Sequence, residues 1–288
     1  CIEALQKDDD GMVPVEVARS LGQIGGDRAN DAVIEVLQND KDSQVRMEAT
    51  KSLGQIGGDK AVTACVKAMR DDKHLMVRRS AAEALSQLGG DRARAACIDI
   101  LRTHADCNTR KDAAVALGRI GGEQAINACI EALQKDNDGM VRVEVVRFLV
   151  QIGGDQANDA VIEALQNDSD IRVRMVAAGF LGQSGGDQAR TALVKASKDD
   201  KDEQVRRHAV EVLGQLGGDQ AREACIEVLR TDADCHARMC AAVALGRIGG
   251  EQTRSAFVKA LKDDKHWRVR RLAAEALGQL GGDEARDA

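Results

Sequence analysis

"DRANDAVIEVLQNDKDSQVRMEATKSLGQIGG" (27–58) holds two apolar stripes, a polar turn between them and a closing double glycine. In the first half Ala29, Ala32, Val33, Val36 and Leu37 recur at three- and four-residue steps, the spacing of one helical face. Val45, Ala49, Leu53 and Ile56 form a second such stripe. The intervening "QNDKD" is polar and reads as a turn. The two predicted helices are termed A and B. Asp27 is expected to be the N-cap of helix A, offering an oxygen to first-turn amides. Gly57-Gly58 is expected to end helix B, since glycine accepts the left-handed conformation common at helix C-termini. A phosphate-cradling glycine loop fits poorly, because no strand precedes the glycines and no Lys-Ser/Thr follows.

The phrase recurs. Gly-Gly pairs start at 25, 57, 89, 121, 153, 185, 217, 249 and 281, a spacing of 32 throughout. A fixed period of this size predicts a solenoid of stacked two-helix units. The predicted fold is all-α: a right-handed superhelix of nine 32-residue repeats in one domain over 1–288, with helix B on the concave face. The repeats are 1–32, 33–64, 65–96, 97–128, 129–160, 161–192, 193–224, 225–256 and 257–288. A longer period overlies this one. Residues 1–32 nearly match 129–160, and 102–124 echo 230–252, as if a block of four units had been duplicated. The ninth unit instead resembles the third, "DDKHWRVRR" (263–271) against "DDKHLMVRR" (71–79).

Composition agrees with a thin helical core. There is no Tyr, one Trp, three Phe and one Pro, so the interior must be built from Ala, Leu, Ile and Val. A net charge of −6 gives no general attraction to phosphate. No apolar run is long enough to span a bilayer and no signal peptide opens the chain. Cys1 rather than Met stands first, so the chain is expected to be a piece of a longer one. Of eight cysteines, Cys1, Cys65, Cys97, Cys129 and Cys225 share one repeat position on the apolar side of helix A. Buried free thiols in a reducing cytoplasm are expected.

Asp and Arg recur six residues apart ahead of "AAxALGxIGG"-type segments: Asp40…Arg46, Asp72…Arg78, Asp136…Arg142, Asp168…Arg174, Asp200…Arg206, Asp232…Arg238 and Asp264…Arg270. In these residues the chain resembles the HEAT-repeat superfamily, specifically the short repeats of phycobilisome lyases. The resemblance covers the whole chain. It implies that these Asp and Arg residues form a ladder between neighbouring units, and a guanidinium is well suited to bridging acceptors in two adjacent turns. Two units depart: His104 replaces the Asp of the fourth, and Pro14 the Arg of the first. Pro14 is expected to delay or distort its helix B. The resemblance does not choose among lyases, hydroxylases, DNA-repair proteins and binding scaffolds.

Framework positions barely change between repeats, whereas the opposite face of helix B changes most. There stand Met12, Val15, Glu16 and Arg19; Leu75, Met76 and Arg79; Arg172, Met175, Val176 and Gly179; Gln204, Arg207 and His208; His236, Met239 and Cys240; and Trp267, Arg268, Arg271 and Leu272. Met, Trp and Arg are favoured at binding surfaces. The expected function is therefore a protein- or peptide-binding groove, with no catalysis, no cofactor and no resident metal.

Other chemistries fit these residues less well. Di-iron hydroxylases of this superfamily carry His-Glu pairs, and none of the five histidines here is followed by Glu. Arg79, Lys111 and Arg207 alternate with Glu48, Glu83, Asp112 and Glu211, which argues against nucleic acid. The enzymatic alternative is a bilin lyase subunit, with Arg207, His208, Arg268 and Arg271 as anion partners and Trp267 as a stacking surface. His236 and Cys240, with His208 and Cys235 nearby, could suit zinc. The fourth unit has Cys107, Asn108 and Asp112 instead of Cys235, His236 and Cys240, and an unliganded surface is expected. Neither end carries a polar capping unit, so head-to-tail self-association through the ends is a further expectation.

Overall fold

The computed structural model describes residues 12–280, which form seventeen α-helices and no strand. The B helices are α1 (Met12–Ile24), α3 (Ser43–Ile56), α5 (Leu75–Leu88), α7 (Cys107–Ile120), α9 (Gly139–Ile152), α11 (Ile171–Ser184), α13 (Glu203–Leu216), α15 (Cys235–Ile248) and α17 (Trp267–Leu280). Alternating with them are the A helices α2 (Asp27–Asn39), α4 (Gly58–Asp71), α6 (Gly90–Thr103), α8 (Glu123–Lys135), α10 (Asp155–Asn167), α12 (Asp187–Asp199), α14 (Asp219–Thr231) and α16 (Glu251–Asp263). Cys1, the head "CIEALQKD" and the tail "GGDEARDA", on which the expectations about the ends rest, lie outside the described residues. No described helix is long and apolar enough to cross a membrane.

Each A helix buries one stripe. In α2, Ala29, Ala32, Val33, Val36 and Leu37 are all buried, and Val45, Ala49 and Leu53 of α3 meet them, while Ile56 at the helix end is half-exposed. Cys65, Cys97, Cys129 and Cys225 are free thiols buried in this seam. Burial pushes each up to about 12, because a thiolate has nothing polar there to solvate it.

Three local expectations need correction. Asp27 is not the N-cap of α2; Gly26 holds that place with no side-chain bond, and Asp27 lies in the first turn. There its charge opposes the positive end of the helix dipole. The side-chain caps belong to the B helices, where Asp42, Asp106, Asp170, Asp202 and Asp234 accept first-turn amides. Second, the double glycines are not left-handed helical. Gly57 has φ 83° and ψ −171°, a positive-φ extended conformation open essentially to glycine alone. Third, Pro14 does not keep the helix from starting ahead of it: α1 is already helical at Met12, although Pro14 lacks the amide that Arg46, Arg110 and Arg174, at the same repeat position, give to the carbonyl of the N-cap residue.

The chain divides into two compact units, Cys1–Leu149 and Val150–Ala288. Within each, consecutive B helices lie against one another far more extensively than consecutive A helices do, as a concave B side requires. A small residue makes this approach possible. The glycine of the "LGQ" phrase faces the next B helix: a Cβ on Gly22 would stand 2.9 Å from Ser52 Cβ, and one on Gly214 2.7 Å from Ala244 Cβ.

Candidate polypeptide-binding face

An Asp–Arg ladder fixes the register of the B helices. Arg46 sends Nε and one terminal nitrogen to the two oxygens of Asp72, at 2.8 and 3.0 Å. Its other terminal nitrogen reaches the carbonyl of Asp40 at 2.9 Å. Arg110–Asp136, Arg174–Asp200, Arg206–Asp232 and Arg238–Asp264 repeat this geometry. Each carboxylate thus binds the Arg of the preceding repeat. Toward its own repeat the Arg reaches the Asp backbone carbonyl, as Arg78 does at Asp72, Arg142 at Asp136, Arg206 at Asp200 and Arg270 at Asp264. The same Asp also accepts the amide two residues on: Asp40 accepts from the amide of Asp42, Asp168 from that of Asp170 and Asp232 from that of Asp234. Burial works to raise Asp72, but the bonds from Arg46 and the His74 amide outweigh it and hold the carboxyl below its ordinary range.

His104 substitutes for the missing Asp. Its Nδ1 accepts the Asp106 amide at 3.1 Å, and Nε2 lies 3.0 Å from the Arg70 carbonyl. A carbonyl can only accept, so the ring proton sits on Nε2. Arg78, deprived of an aspartate, turns to Thr109 Oγ1 and Asp106 Oδ2, both at 2.9 Å. Burial would raise Asp106, yet the bonds from Thr109 and Arg78 bring it down to about 2.

The ladder leaves the opposite face of each B helix free. In the first unit, Leu75 and Met76 are exposed, and Arg79 lies 3.8 Å from Glu83. Arg19 bridges Glu16 at 2.8 Å and Glu48 at 2.9 Å. Met12 begins α1, and its side chain lies outside the described residues. In the second unit Met175, Val176, Met239 and Leu272 are half-buried. Arg172 pairs with Asp170 at 2.6 Å. Arg207 lies 3.7 Å from Asp234, and His208 3.7 Å from Glu211. Trp267 is 55% exposed, with the guanidiniums of Arg268 and Arg271 5.4 and 5.8 Å from its ring centre. Arg271 also meets Glu275 at 3.3 Å.

His236 and Cys240 do not converge on a shared point. Cys240 Sγ turns to Glu211 at 3.6 Å, while His236 Nδ1 lies 3.4 Å from Asp234 and 3.6 Å from Cys235 Sγ. Among the described residues, Asp234, Cys235 and His236 alone bring three ligand-type atoms within 4.8 Å of one another. Asp234 already spends both oxygens on the amides of His236 and Ala237.

Four exposed large apolar residues on B helices stand outside the predicted set: Met140 and Val243, and Ile24 and Ile152 at helix ends. The signal existed for Met140, which stands at the repeat position of Met12 and Met76.

Comparison with known proteins gives the following. A family model described as HEAT repeats matches residues 1–86, 94–182, 158–225 and 223–288, and one described as PBS lyase HEAT-like repeat matches 77–106. No curated protein sequence matches the chain. Among solved structures, Kap121p bound to Pho4p is similar with a TM-score of 0.67 at 14% identity, over 97% of this chain and 36% of that one. The chain therefore spans little more than a third of the Kap121p length. The CpcE–CpcF complex of phycocyanin lyase from Nostoc sp. PCC7120 gives 0.42 at 24% identity, over 77% and 90%. Human deoxyhypusine hydroxylase in complex with glycerol gives 0.39 at 25% identity, over 93% and 98%.

Proposed function

The chain belongs to the HEAT-repeat family, and from that premise we propose that it is a non-catalytic scaffold holding another polypeptide along the free face of its B helices. One observation carries the reading. Leu75, Met76, Met140, Val243 and Trp267, large and exposed, all lie on B helices, at positions that vary from repeat to repeat, whereas the ladder residues depart only at Pro14 and His104. Scattered exposed apolar residues mean little singly, but adaptable Met beside Trp and Arg is the composition of binding hot spots. Kap121p, a solenoid of similar fold, is seen bound to the polypeptide Pho4p. The absence of catalysis is supported by how the polar candidates are spent: Arg207, His208 and Arg271 each face a carboxylate of the chain itself. Buried free thiols suit a reducing cytoplasm.

Native mass spectrometry of the chain recovered from its own cells tests the reading. A bound polypeptide that is lost on combining Met175→Glu with Trp267→Glu, in a variant whose helical circular dichroism is unchanged, is the expected result. A retained polypeptide would put the binding face elsewhere. A bound mass of a few hundred daltons in place of a polypeptide would overturn the scaffold in favour of the bilin reading.

A further inference from the structure

Asp112 on α7 is only 6% exposed, and among the described residues its carboxylate has neither a hydrogen bond nor an ion pair. Buried carboxylates are ordinarily paired; Asp112 is not, and its oxygens are not wholly sealed from solvent. Burial accordingly pushes the carboxyl up, Lys111 and Arg79 pull the other way, and Glu83 adds to the rise. Asp112 lines a cleft of about 350 Å³ on the free B face, together with the charged residues Arg79, Glu83, Lys111, Arg119, Glu144 and Arg147.

The repeat supplies an internal control. Glu48 occupies the same register two repeats earlier and is 8% exposed. It is satisfied by Arg19 of the preceding B helix at 2.9 Å and by Lys51 of its own at 3.3 Å. Two repeats on, the position of Arg19 holds Glu83 and that of Lys51 holds Val115. Both internal cations are gone, and one has become a second carboxylate. The cations that border the cleft do not fill the gap. Arg79 lies against Glu83 at 3.8 Å and Arg147 against Glu144 at 3.4 Å, and neither Lys111 nor Arg119, which also line the cleft, makes an ion pair with Asp112. Glu83, Asp112 and Glu144 do not bring their oxygens close enough together for a metal ion.

We propose that this cleft receives an arginine or lysine side chain of a bound polypeptide, held between Asp112 and Glu83 as Arg19 is held between Glu16 and Glu48. The proposal rests on the scaffold reading above and adds the chemistry of the partner. A guanidinium offers a fork of donors to a carboxylate, and pairing would return what burial has cost.

The probe is argininamide, titrated into the full chain while the side-chain carboxyl carbons are followed by NMR, with citrullinamide as the uncharged control. Argininamide should shift Asp112 and Glu83 saturably and citrullinamide should not. Asp112→Asn should weaken the binding about tenfold or more, the loss expected for a charged hydrogen bond. Val115→Lys, which rebuilds the Lys51 arrangement, should compete with the probe and weaken it in the same direction. Shifts that are absent, or that survive Asp112→Asn unchanged, would overturn the proposal. The mass-spectrometric test is separate: a polypeptide held equally well by Asp112→Asn leaves the scaffold standing and sinks this site. Argininamide binding with no polypeptide held does the reverse.

Discussion

Arg46 and Asp72 form a nearly dry pair, with side chains 6% and 9% exposed. Breaking such a pair from one side leaves the other charge buried alone, which costs about 3–5 kcal/mol. Arg46→Met should therefore lower the urea midpoint far more than a surface substitution does. Adding Asp72→Asn should restore part of it, because the amide oxygen still accepts from His74 while the charge is gone. A double variant no more stable than Arg46→Met alone would mean that the carbonyls of Asp40 and Lys41, which Arg46 also serves, carry the cost. Asp106 gives a pH signature. Its folded value of about 2 lies below the ordinary 3.8, so the unfolded chain binds this proton more readily. The stability it contributes is complete above about pH 4 and is lost as pH falls through about 2. Thr109→Val deletes a fully buried hydroxyl that donates to Asp106 at 2.8 Å. The Asp106 titration, followed by carbon NMR, should move up toward 3.8, and an unmoved titration would place the depression on Arg78 and the backbone amide.

Two glycines at the same repeat position should respond in opposite senses, and the spacing of helices decides which. Gly→Ala in a helix gains up to about 1 kcal/mol of propensity, whereas overpacking costs about 1–3 kcal/mol. A Cβ on Gly214 would stand 2.7 Å from Ala244 Cβ and 3.0 Å from its Cα, so backbone must move. A Cβ on Gly246 would meet nothing within 4 Å. Gly214→Ala should lower the melting temperature and Gly246→Ala should raise it. The two falling together would show that α15 and α17 close up in solution. Much of this element level was legible in the sequence: the helix pairs, the seam and the thiol positions follow from period and polarity. The reason for the "LGQ" glycine was not, since a letter that recurs in seven of nine repeats, with Ser86 and Val150 in the others, reads alike whether it serves a turn or a close approach. Nor could spacing say which Arg joins which Asp. The expectation of a ladder between neighbouring units came from the family resemblance, and each carboxylate does bind the Arg of the preceding repeat. Asp112 looked like one charge in an alternating row, and only its burial singled it out.

At the scale of the molecule, side-chain bonds join residues about one repeat apart, as Arg46 joins Asp72, Thr50 joins Ser80 and Arg206 joins Asp232. Stability in such a stack is a sum of repeat terms and nearest-neighbour interfaces, and damage spreads only as far as those interfaces transmit it. Arg46→Met thus serves a second purpose. Hydrogen exchange followed by mass spectrometry should show faster exchange in α3 to α6, the helices flanking the broken rung, and unchanged exchange in α13 to α16 of the other compact unit. The binding reading depends on that locality. A scaffold whose repeats open independently can exchange one contact with a partner without losing its neighbours, so a ligand on Trp267 should protect α15 and α17 while leaving α3 as mobile as before. Uniform acceleration along the whole chain in Arg46→Met would mean that the stack unfolds as one cooperative body. The variable face would then act as a single site instead of a row of separable ones.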